Sequence, residues 1–328
     1  MIGLDTDRLG SYLDIGPLTA ELIPGGKSNL TYRLVAGDKV LIVRRPPLGH
    51  VLATAHDMSR EYRIITALGP TGVPVPRTIA MCTDESVIGA PFYVMEFVEG
   101  AIYRTSAATA ALGLPRMERI TDSLMRVLAT LHAVEPASVG LADFGRTDGY
   151  LQRQVARWRK QLDASRSRPM PGIEELHARL EATIPPSKQV GIVHGDYRLD
   201  NVIMTDSSDE VAAVLDWEMA TLGDQLTDLG LMLMYWELLT QGGGMFGSPP
   251  PGAVFPTDLP NRYAEASGAD LSRLNWYIAF ANFKLAVIAE GIHFRFIAGQ
   301  TVGEGFERVG EGVPLLVARG HELLSQQD

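Results

Sequence analysis

Short runs of apolar residues, many of them β-branched, dominate the first hundred positions and are separated by turns rich in glycine and asparagine. Runs of this length between turn residues predict strands. One helical repeat of apolar residues interrupts them and ends at Gly-Pro, a pair that commonly stops a helix. The pattern predicts strands at 18–23, 30–36 and 39–44, a helix at 56–68 and further strand at 87–98.

From about residue 100 onwards, apolar residues recur every three or four positions, as they do along amphipathic helices. The aromatic residues of the last helix are expected to pack in the core. The chain is therefore expected to be an α+β protein, with a small strand-rich part followed by a larger helical part. Helices are predicted at 117–132, 149–164, 173–184, 229–239 and 276–298.

A hairpin is predicted within the helical part, from two apolar strands at 202–205 and 211–215 that flank a polar turn. A hairpin returns its second strand to where the first began. Asn201 and Asp216 are therefore expected side by side at its open end. Hard oxygen ligands placed in this way suit Mg²⁺, which usually takes only one or two protein carboxylates.

The segment His194-Gly195-Asp196 directly precedes this hairpin. Asp196 and Asn201 are five residues apart, the D-x-x-x-x-N spacing of a kinase catalytic loop, in which the Asp accepts the substrate hydroxyl proton and the Asn holds a metal ion. An isolated H-G-D is weak evidence, because a Gly-Asp turn after a strand is common. The ordered set that ends in Asp216 is much more specific. His194 is expected to orient the loop by hydrogen bonding.

Three motifs occur in and after this loop: H-G-D-Y-R-L-D-N at 194–201, L-D-W-E at 215–218 and G-D-Q-L-T-D-L-G at 223–230. Together they resemble the aminoglycoside phosphotransferase family of small-molecule kinases, which share the protein-kinase fold. Three others are R-R-P-P at 44–47, R-E-Y at 60–62 and F-Y-V-M-E-F at 92–97. These are similar to the kinase-like domain found fused to, or encoded beside, acyl-CoA dehydrogenases.

The resemblance covers about residues 25–295. It implies a two-lobed protein-kinase-like α+β fold with ATP and Mg²⁺ as cofactors. Residues 1–98 would form the N-terminal nucleotide-binding lobe around a small antiparallel sheet. Residues 99–328 would form the larger, mainly helical C-terminal lobe, which carries catalysis and substrate binding.

The resemblance also implies roles for individual residues. Arg44, at the end of the third strand, would steady the α- and β-phosphates of the nucleotide, with Glu61 of the following helix as its partner. Most kinases have Lys at this position, but Arg can contact phosphate through two nitrogens. Arg45 is the alternative if the strand is shifted.

The turn at 25–29 is a second candidate for phosphate binding, through Ser28 and Asn29. It departs from the G-x-G-x-x-G of protein kinases, and an ordinary hairpin turn is the alternative interpretation. Main-chain groups of Glu96 and Val98, in the implied linker between the lobes, would hydrogen-bond adenine.

Acidic residues after the hairpin have several candidate roles. Asp228 is expected to cap the helix that it enters, and Asp224 is expected to brace the catalytic loop. Glu218 is expected to make a structural hydrogen bond, with a contact to metal-bound water as the alternative. The stretch at 241–260, rich in Gly and Pro, is either a lid or substrate-binding segment or a surface excursion.

The chain has 328 residues, of which 46% are hydrophobic, and this composition agrees with an intracellular enzyme. Its single cysteine, Cys82, excludes an internal disulfide. No secretory signal is expected at the N-terminus. The apolar stretch at 276–298 contains Lys284, Glu290 and Arg295, so no membrane span is expected. A net charge of −10 argues against nucleic-acid binding. A cytoplasmic location is expected, and the oligomeric state is left open.

These features predict ATP- and Mg²⁺-dependent phosphoryl transfer to the hydroxyl group of a small molecule. The narrower resemblance implies a hydroxyacyl thioester or another small hydroxylated metabolite as the acceptor. The late helix carries Lys284, His293 and Arg295 but only one acid, Glu290, which favours an anionic or apolar hydroxylated acceptor. An aminoglycoside is the alternative acceptor. A nucleotide-binding regulator without catalysis is a rival, but such a protein typically lacks a base or metal residue that is present here. A metal-dependent hydrolase lacks further ligands at suitable spacing.

Overall fold

The computed structural model describes residues 3–24, 29–48, 57–242, 246–300, 306 and 308–326. A five-stranded antiparallel sheet lies near its N-terminus, in the spatial order β1-β2-β3-β5-β4. In this sheet Arg44 lies opposite Thr31 on one side and Tyr93 on the other. The strands are β1 (Thr19–Leu22), β2 (Leu30–Ala36), β3 (Lys39–Arg45), β4 (Thr78–Cys82) and β5 (Phe92–Glu96).

Three helices accompany the sheet: α1 (Thr6–Leu13), α2 (Met58–Leu68) and α3 (Glu85–Ile88). Helix α2 packs on β4 and β5. It starts after Asp57, whose side chain accepts a hydrogen bond from the backbone N–H of Arg60 and so caps the helix. The predicted helix at 56–68 is confirmed over its described part, and His56 lies outside the described residues.

The strand predicted at 87–98 is wrong in its first part. Helix α3 occupies that part because the Asp84 carboxylate accepts a hydrogen bond of 2.8 Å from the Ser86 N–H at the helix start. Gly89 then ends the helix with a φ of +82°, a left-handed conformation that favours glycine. Only β5 forms strand. No pattern in the sequence predicted α1 or β4.

The remainder of the described chain is mainly helical, as predicted. Helix α10, near the C-terminus, packs against α6, α7, α8 and α11. The helices are α4 (Ser106–Ala110), α5 (Leu114–Ala133), α6 (Tyr150–Ser165), α7 (Ile173–Ala182), α8 (Leu226–Gln241), α9 (Leu259–Ser267), α10 (Leu274–Ile297) and α11 (Val313–Ser325). No helix among the described residues combines the length and the apolar character needed to cross a bilayer.

Two small sheets lie among these helices. The predicted hairpin is confirmed as β7 (Val202–Met204) and β8 (Val211–Val214), with Val202 opposite Val214. A second antiparallel pair, β6 (Val190–Val193) with β9 (Thr221–Asp224), frames the hairpin and was not predicted. Ala101 bridges to Met204 of the hairpin. The chain can approach this closely because Gly100 has no side chain: a Cβ there would lie 2.3 Å from the Met204 carbonyl oxygen.

The aromatic residues of α10 divide into two groups. Trp276, Tyr277 and Phe280 are buried, as is Phe283, so the predicted packing role is confirmed for the first half of the helix. The prediction is wrong for Phe294 and Phe296, each of which is 37% exposed. The buried part of the helix ends at Gly291, and the turns beyond it face solvent.

Candidate active site

A buried carboxylate fixes the backbone of the loop that follows β6. Asp228, in the first turn of α8, accepts hydrogen bonds from the N–H groups of His194 at 2.7 Å and Gly195 at 2.8 Å. The same carboxylate lies 3.3 Å from His132 Nε2. Burial by itself would raise the pKa of Asp228, but hydrogen bonds and the neighbouring histidines hold this pKa below its ordinary value. The Asp228 carboxylate is therefore a fixed anion beneath the loop.

The predicted roles of Asp224 and Asp228 are exchanged in the structure. Asp224 accepts a hydrogen bond from the Leu226 N–H at the start of α8, 3.1 Å away, and another from the Tyr277 hydroxyl at 2.9 Å. Asp224 thus satisfies the helix terminus, and Asp228 braces the catalytic loop. The exchange arises because Asp224 is still in β9, whereas Asp228 lies one helical turn further on and faces the end of β6.

His194 orients the loop as expected. Its Nε2 donates a hydrogen bond to the Leu215 carbonyl oxygen at 2.9 Å, and its Nδ1 accepts one from the Asp196 N–H at 3.2 Å. The ring also packs against Trp217, with 4.5 Å between ring centroids. His194 therefore connects Asp196 to the strand end that carries Asp216.

Asp196 and Asn201 are in direct contact. The Asn201 Nδ2 donates to the main-chain oxygen of Asp196 at 2.9 Å and to its Oδ2 at 2.8 Å. Arg198 Nε donates to the same Oδ2 at 3.1 Å. None of these three bonds uses Asp196 Oδ1. The carboxylate is held in place through one oxygen, and the other is available to accept a proton.

Arg44 joins the sheet to the hairpin end. Its Nη1 lies 2.6 Å from Glu61 Oε1 on α2, and its Nη2 lies 3.2 Å from Asp216 Oδ1. Burial raises the pKa of Glu61 to about 7, against the lowering effect of the Arg44 charge. Arg45 points away from this site, and its Nη1 donates to the Ile88 carbonyl oxygen at 2.9 Å. Of the two arginines, Arg44 is the one beside Asp216.

Asp216 stands directly after β8 in a left-handed conformation, with a φ of +65°. Asp adopts this region more readily than most residues. Its side chain is 33% exposed, so one face of the carboxylate is open. The Leu215 N–H donates to the Asn201 carbonyl oxygen at 2.8 Å, which places Asn201 beside Asp216 as the hairpin predicts.

The donor set at this hairpin end is suitable for Mg²⁺. The amide nitrogen of Asn201 is committed to Asp196, so its Oδ1 is the atom left to face a cation. Asp216 adds a partly exposed carboxylate. One carboxylate and one amide oxygen are hard ligands of the kind that Mg²⁺ takes together with water and phosphate oxygens. The described residues contain no larger cluster of three or more His, Cys, Asp or Glu arranged for a metal.

The candidate nucleotide contacts have different surroundings. Ser28 lies outside the described residues. Asn29 is buried, and its Nδ2 donates to Glu218 Oε2 at 3.2 Å, which gives Glu218 the expected structural hydrogen bond. The Glu96 N–H donates to the Arg77 carbonyl oxygen at 2.9 Å, so this group is already paired. Val98 is half-buried just beyond β5. The carbonyl oxygen is therefore the main-chain group of Glu96 that is left for the expected adenine contact.

Several residues near the loop carry no prediction from the sequence. Arg198 Nη1 lies 2.8 Å from Asp200 Oδ2, and its guanidinium stacks on the Tyr235 ring with the centroid 4.8 Å away. A small cavity opens beside Arg198 and is lined mainly by aromatic and aliphatic side chains of α8, together with Phe246. The position of Arg198, two residues after Asp196, is the feature of the sequence that could have predicted its contact with Asp196.

The charged residues of α10 separate into internal and loop-facing positions. Glu290 is fully buried, 3.0 Å from Arg168 Nε and 2.8 Å from the Ser167 hydroxyl, so it is an internal pair. His293 packs against Gly310, and Arg295 is exposed. Lys284 Nζ donates to the Gly195 carbonyl oxygen at 3.1 Å. Of Lys284, His293 and Arg295, Lys284 is the one that contacts the loop at Gly195, directly before Asp196.

Sequence comparison agrees with this geometry. The model of the phosphotransferase enzyme family matches residues 19–245. The chain is 34% identical to acyl-CoA dehydrogenase family member 10 of Mus musculus and 35% identical to acyl-CoA dehydrogenase family member 11 of Homo sapiens. These alignments cover 94% and 88% of this chain but only 30% and 37% of the relatives. The chain thus spans about a third of the length of these curated relatives.

Solved structures confirm the predicted fold. A Ralstonia eutropha JMP134 protein assigned as an aminoglycoside phosphotransferase matches with a TM-score of 0.86 and 33% identity, over 98% of both chains. Spectinomycin phosphotransferase APH(9)-Ia, solved with ADP and spectinomycin, matches with a TM-score of 0.64 over 99% of both chains. Its 13% identity carries information on the fold alone.

Proposed function

The chain belongs to the phosphotransferase enzyme family, and from this membership we propose that it transfers the γ-phosphoryl group of ATP to a hydroxyl group of a small molecule. The observation that carries the proposal is one connected set of contacts. Glu61 pairs with Arg44, Arg44 with Asp216, and Asn201, beside Asp216, bonds to Asp196. This set of contacts brings together the proposed base Asp196, the proposed metal ligands Asn201 and Asp216, and the proposed phosphate-binding cation Arg44.

Arg44 is the proposed contact to the nucleotide phosphates. Its guanidinium is buried between two carboxylates, and the charges of Glu61 and Asp216 raise its pKa although burial opposes this. It is therefore a fixed cation at the hairpin end. Related folds have been solved with ADP or an ATP analogue bound. We propose residues 1–98 as the nucleotide-binding lobe and residues 99–328 as the catalytic lobe.

The proposed reaction is an in-line displacement. The acceptor hydroxyl oxygen forms a bond to the γ-phosphorus as the bond from that phosphorus to the β–γ bridging oxygen breaks. Asp196 takes the hydroxyl proton, ADP leaves, and Asp196 then releases the proton to water. Arg198 and Asn201 hold the carboxylate for this transfer. When bound, Mg²⁺ offsets the charge of the phosphate oxygens, and Asn201 Oδ1 and the Asp216 carboxylate would hold it.

A hydroxyacyl thioester is the proposed acceptor class. The curated relatives bear the name of the acyl-CoA dehydrogenases. This name suggests a substrate related to acyl-CoA for the part of those proteins that this chain matches. Lys284, the α10 residue at the catalytic loop, also suits an anionic acceptor better than a polycation. An aminoglycoside is the second candidate, because the solved structures with this fold include aminoglycoside phosphotransferases.

The acceptor class is tested by a parallel assay with ATP and Mg²⁺. We expect hydroxyacyl-CoA compounds to gain the mass of one phosphoryl group and kanamycin-type aminoglycosides to remain unchanged. Mass spectrometry of the acceptor and ADP release are read together, so that ATP hydrolysis without transfer is recognised. Efficient phosphorylation of the aminoglycosides alone would reverse the assignment. ATP binding without transfer to either class would favour a nucleotide-binding regulator.

The metal assignment predicts unequal effects of its two ligands. We expect Asp216→Ala to weaken Mg²⁺-dependent ATP binding more than Asn201→Ala does, because it removes a negative charge that offsets the cation. Calorimetric titration of ATP at several Mg²⁺ concentrations measures the difference. Asp206→Ala, at an exposed position in the turn of the same hairpin, serves as the control. A wild-type ATP affinity that does not change with Mg²⁺ concentration would contradict the assignment.

A further inference from the structure

Lys284 occupies an unusual position for a lysine. It lies on α10, whose other residues near this level are mainly apolar, and its Nζ donates to the carbonyl oxygen of Gly195, directly before Asp196. The same Nζ lies 5.6 Å from the centroid of the Trp158 ring on α6. As a whole residue, Lys284 is half-buried. Its ammonium has three donors, and the contact with Gly195 uses one of them.

A second cation lies near the same indole ring. Arg157 of α6 places its guanidinium 5.9 Å from the centroid of the same Trp158 ring. Within the part of the chain that the structure describes, no carboxylate lies at ion-pair distance from Arg157 or Lys284. Other partly buried cations are paired, as Arg168 is with Glu290 and Arg198 with Asp200. Lys284 and Arg157, by contrast, lie 5.6 and 5.9 Å from the Trp158 ring centroid without a direct ion pair among the described residues.

This arrangement is electrostatically incomplete. Burial lowers the pKa of Lys284, and the Arg157 charge lowers it further, while Asp196 and Asp228 act in the opposite direction. The charges of Asp196 and Asp228 therefore offset part of the cost of burying the Lys284 ammonium, but neither carboxylate forms a direct ion pair with it. An anion bound by both cations would offset the rest of that cost.

We propose that Lys284 and Arg157, which both lie near the ring of the buried Trp158, form the subsite that binds the anionic oxygens of the acceptor. The inference rests on the proposed phosphotransfer and narrows its acceptor to hydroxylated molecules that carry carboxylate or phosphate groups. A polycationic acceptor is disfavoured because both side chains would repel it. The hydroxyl of the acceptor would then lie towards Asp196, whose main chain follows the Gly195 carbonyl that Lys284 contacts.

Phosphate oxygens of the nucleotide are the other source of such an anion. The position of Lys284 favours the acceptor, because the charge of Asp196 acts on it whereas the nucleotide residues Arg44 and Asp216 lie across the hairpin end and pair with each other. Lys284 and Arg157 both belong to helices of the larger helical part. Lys284 contacts Gly195, which directly precedes the proposed base Asp196.

Binding of two probes tests the subsite without relying on turnover. 3-Hydroxybutyryl-CoA and free 3-hydroxybutyrate are titrated calorimetrically into the wild type, Lys284→Met, Lys284→Arg and Arg157→Gln. We expect Lys284→Met to weaken binding of the thioester by about 10- to 100-fold, the scale of a lost charge-assisted hydrogen bond. Lys284→Arg should recover part of the affinity, and the exposed Arg157→Gln should cause a smaller loss.

Two controls determine whether the loss of affinity is specific to the cations beside Trp158. Lys160→Met removes an exposed charge from the same helix α6 and should change neither probe's affinity. MgADP affinity should stay constant in all variants and also verifies that each one folds. If Lys284→Met does not fold, Arg157→Gln at its exposed position decides the result.

Three outcomes would overturn the subsite: no binding of either probe to the wild type, unchanged binding in both charge-removing variants, or a parallel loss of MgADP affinity, which would assign the cations to the nucleotide. Failure of the proposed function is a different result. In that case the wild type binds the probes through Lys284 but transfers no phosphoryl group from ATP.

Discussion

Asp196→Asn is expected to lower turnover by about 10²–10⁴-fold, the usual scale of general acid–base catalysis, while ATP affinity stays nearly constant. The structure supplies the reason. Asp196 is held through Oδ2 by Asn201 and Arg198, while its Oδ1 takes part in neither bond. An amide at this position keeps the shape of the side chain but cannot accept the hydroxyl proton. Steady-state rates with the acceptor found by mass spectrometry, and calorimetric MgADP binding, measure the two effects.

The matched control is Asp200→Asn, because Asp200 is the other carboxylate bound by Arg198. It removes a charge from the same network and leaves the proposed base intact, so its loss of turnover should be much smaller. Equal losses in the two variants would mean that the Arg198 network as a whole, and not a base at Asp196, limits the reaction. Unchanged turnover in Asp196→Asn would refute the assignment directly.

Local patterns predict the core of this site well. The hairpin at 202–215 and the placement of Asn201 beside Asp216 depend on two apolar runs and a polar turn, which are properties of neighbouring residues. The spacing of Asp196 and Asn201 is equally local. These features need no knowledge of the remaining chain, and the structure places the residues as the pattern predicts.

Contacts between distant segments are what the sequence pattern leaves undetermined. Asp224 and Asp228 are four residues apart, and either one is a plausible helix cap. Their roles depend on the pairing of β6 with β9, which decides that Asp228 faces the N–H groups of His194 and Gly195. Two four-residue strands separated by a catalytic hairpin give no periodic signal of their own pairing.

The charged residues of α10 show the same limit. The sequence does not show whether Lys284 and Glu290, two charged residues on an aromatic helix, pair internally or face a site. In the structure Glu290 is neutralised by Arg168 from another segment, whereas Lys284 contacts the catalytic loop. Helix packing decides which side chain of α10 meets which partner, and α10 lacks the amphipathic pattern that would reveal this from the sequence.

Asp228→Asn is expected to lower the free energy of unfolding by about 3 kcal/mol or more, because the buried groups that bond to this carboxylate lose their charged partner. The Asp228 carboxylate accepts from the N–H groups of His194 and Gly195 and lies beside His132. An amide has one accepting oxygen, so its NH₂ group would face one of these N–H donors. Urea unfolding, followed by tryptophan fluorescence, measures the change.

Asp258→Asn is the matched control for this prediction. Asp258 pairs with Arg262 at 3.0 Å, but its side chain is 51% exposed, and exposed ion pairs contribute only about 0–1 kcal/mol. Acidification gives an independent test. The pKa of Asp228 is held below its ordinary value in the fold, so its contribution is present above about pH 4 and is lost as the pH falls through the lower folded value. The stability difference between wild type and Asp228→Asn should therefore narrow on acidification. A loss no larger than that of Asp258→Asn, or a difference that widens at low pH, would show that this carboxylate does not hold the catalytic loop.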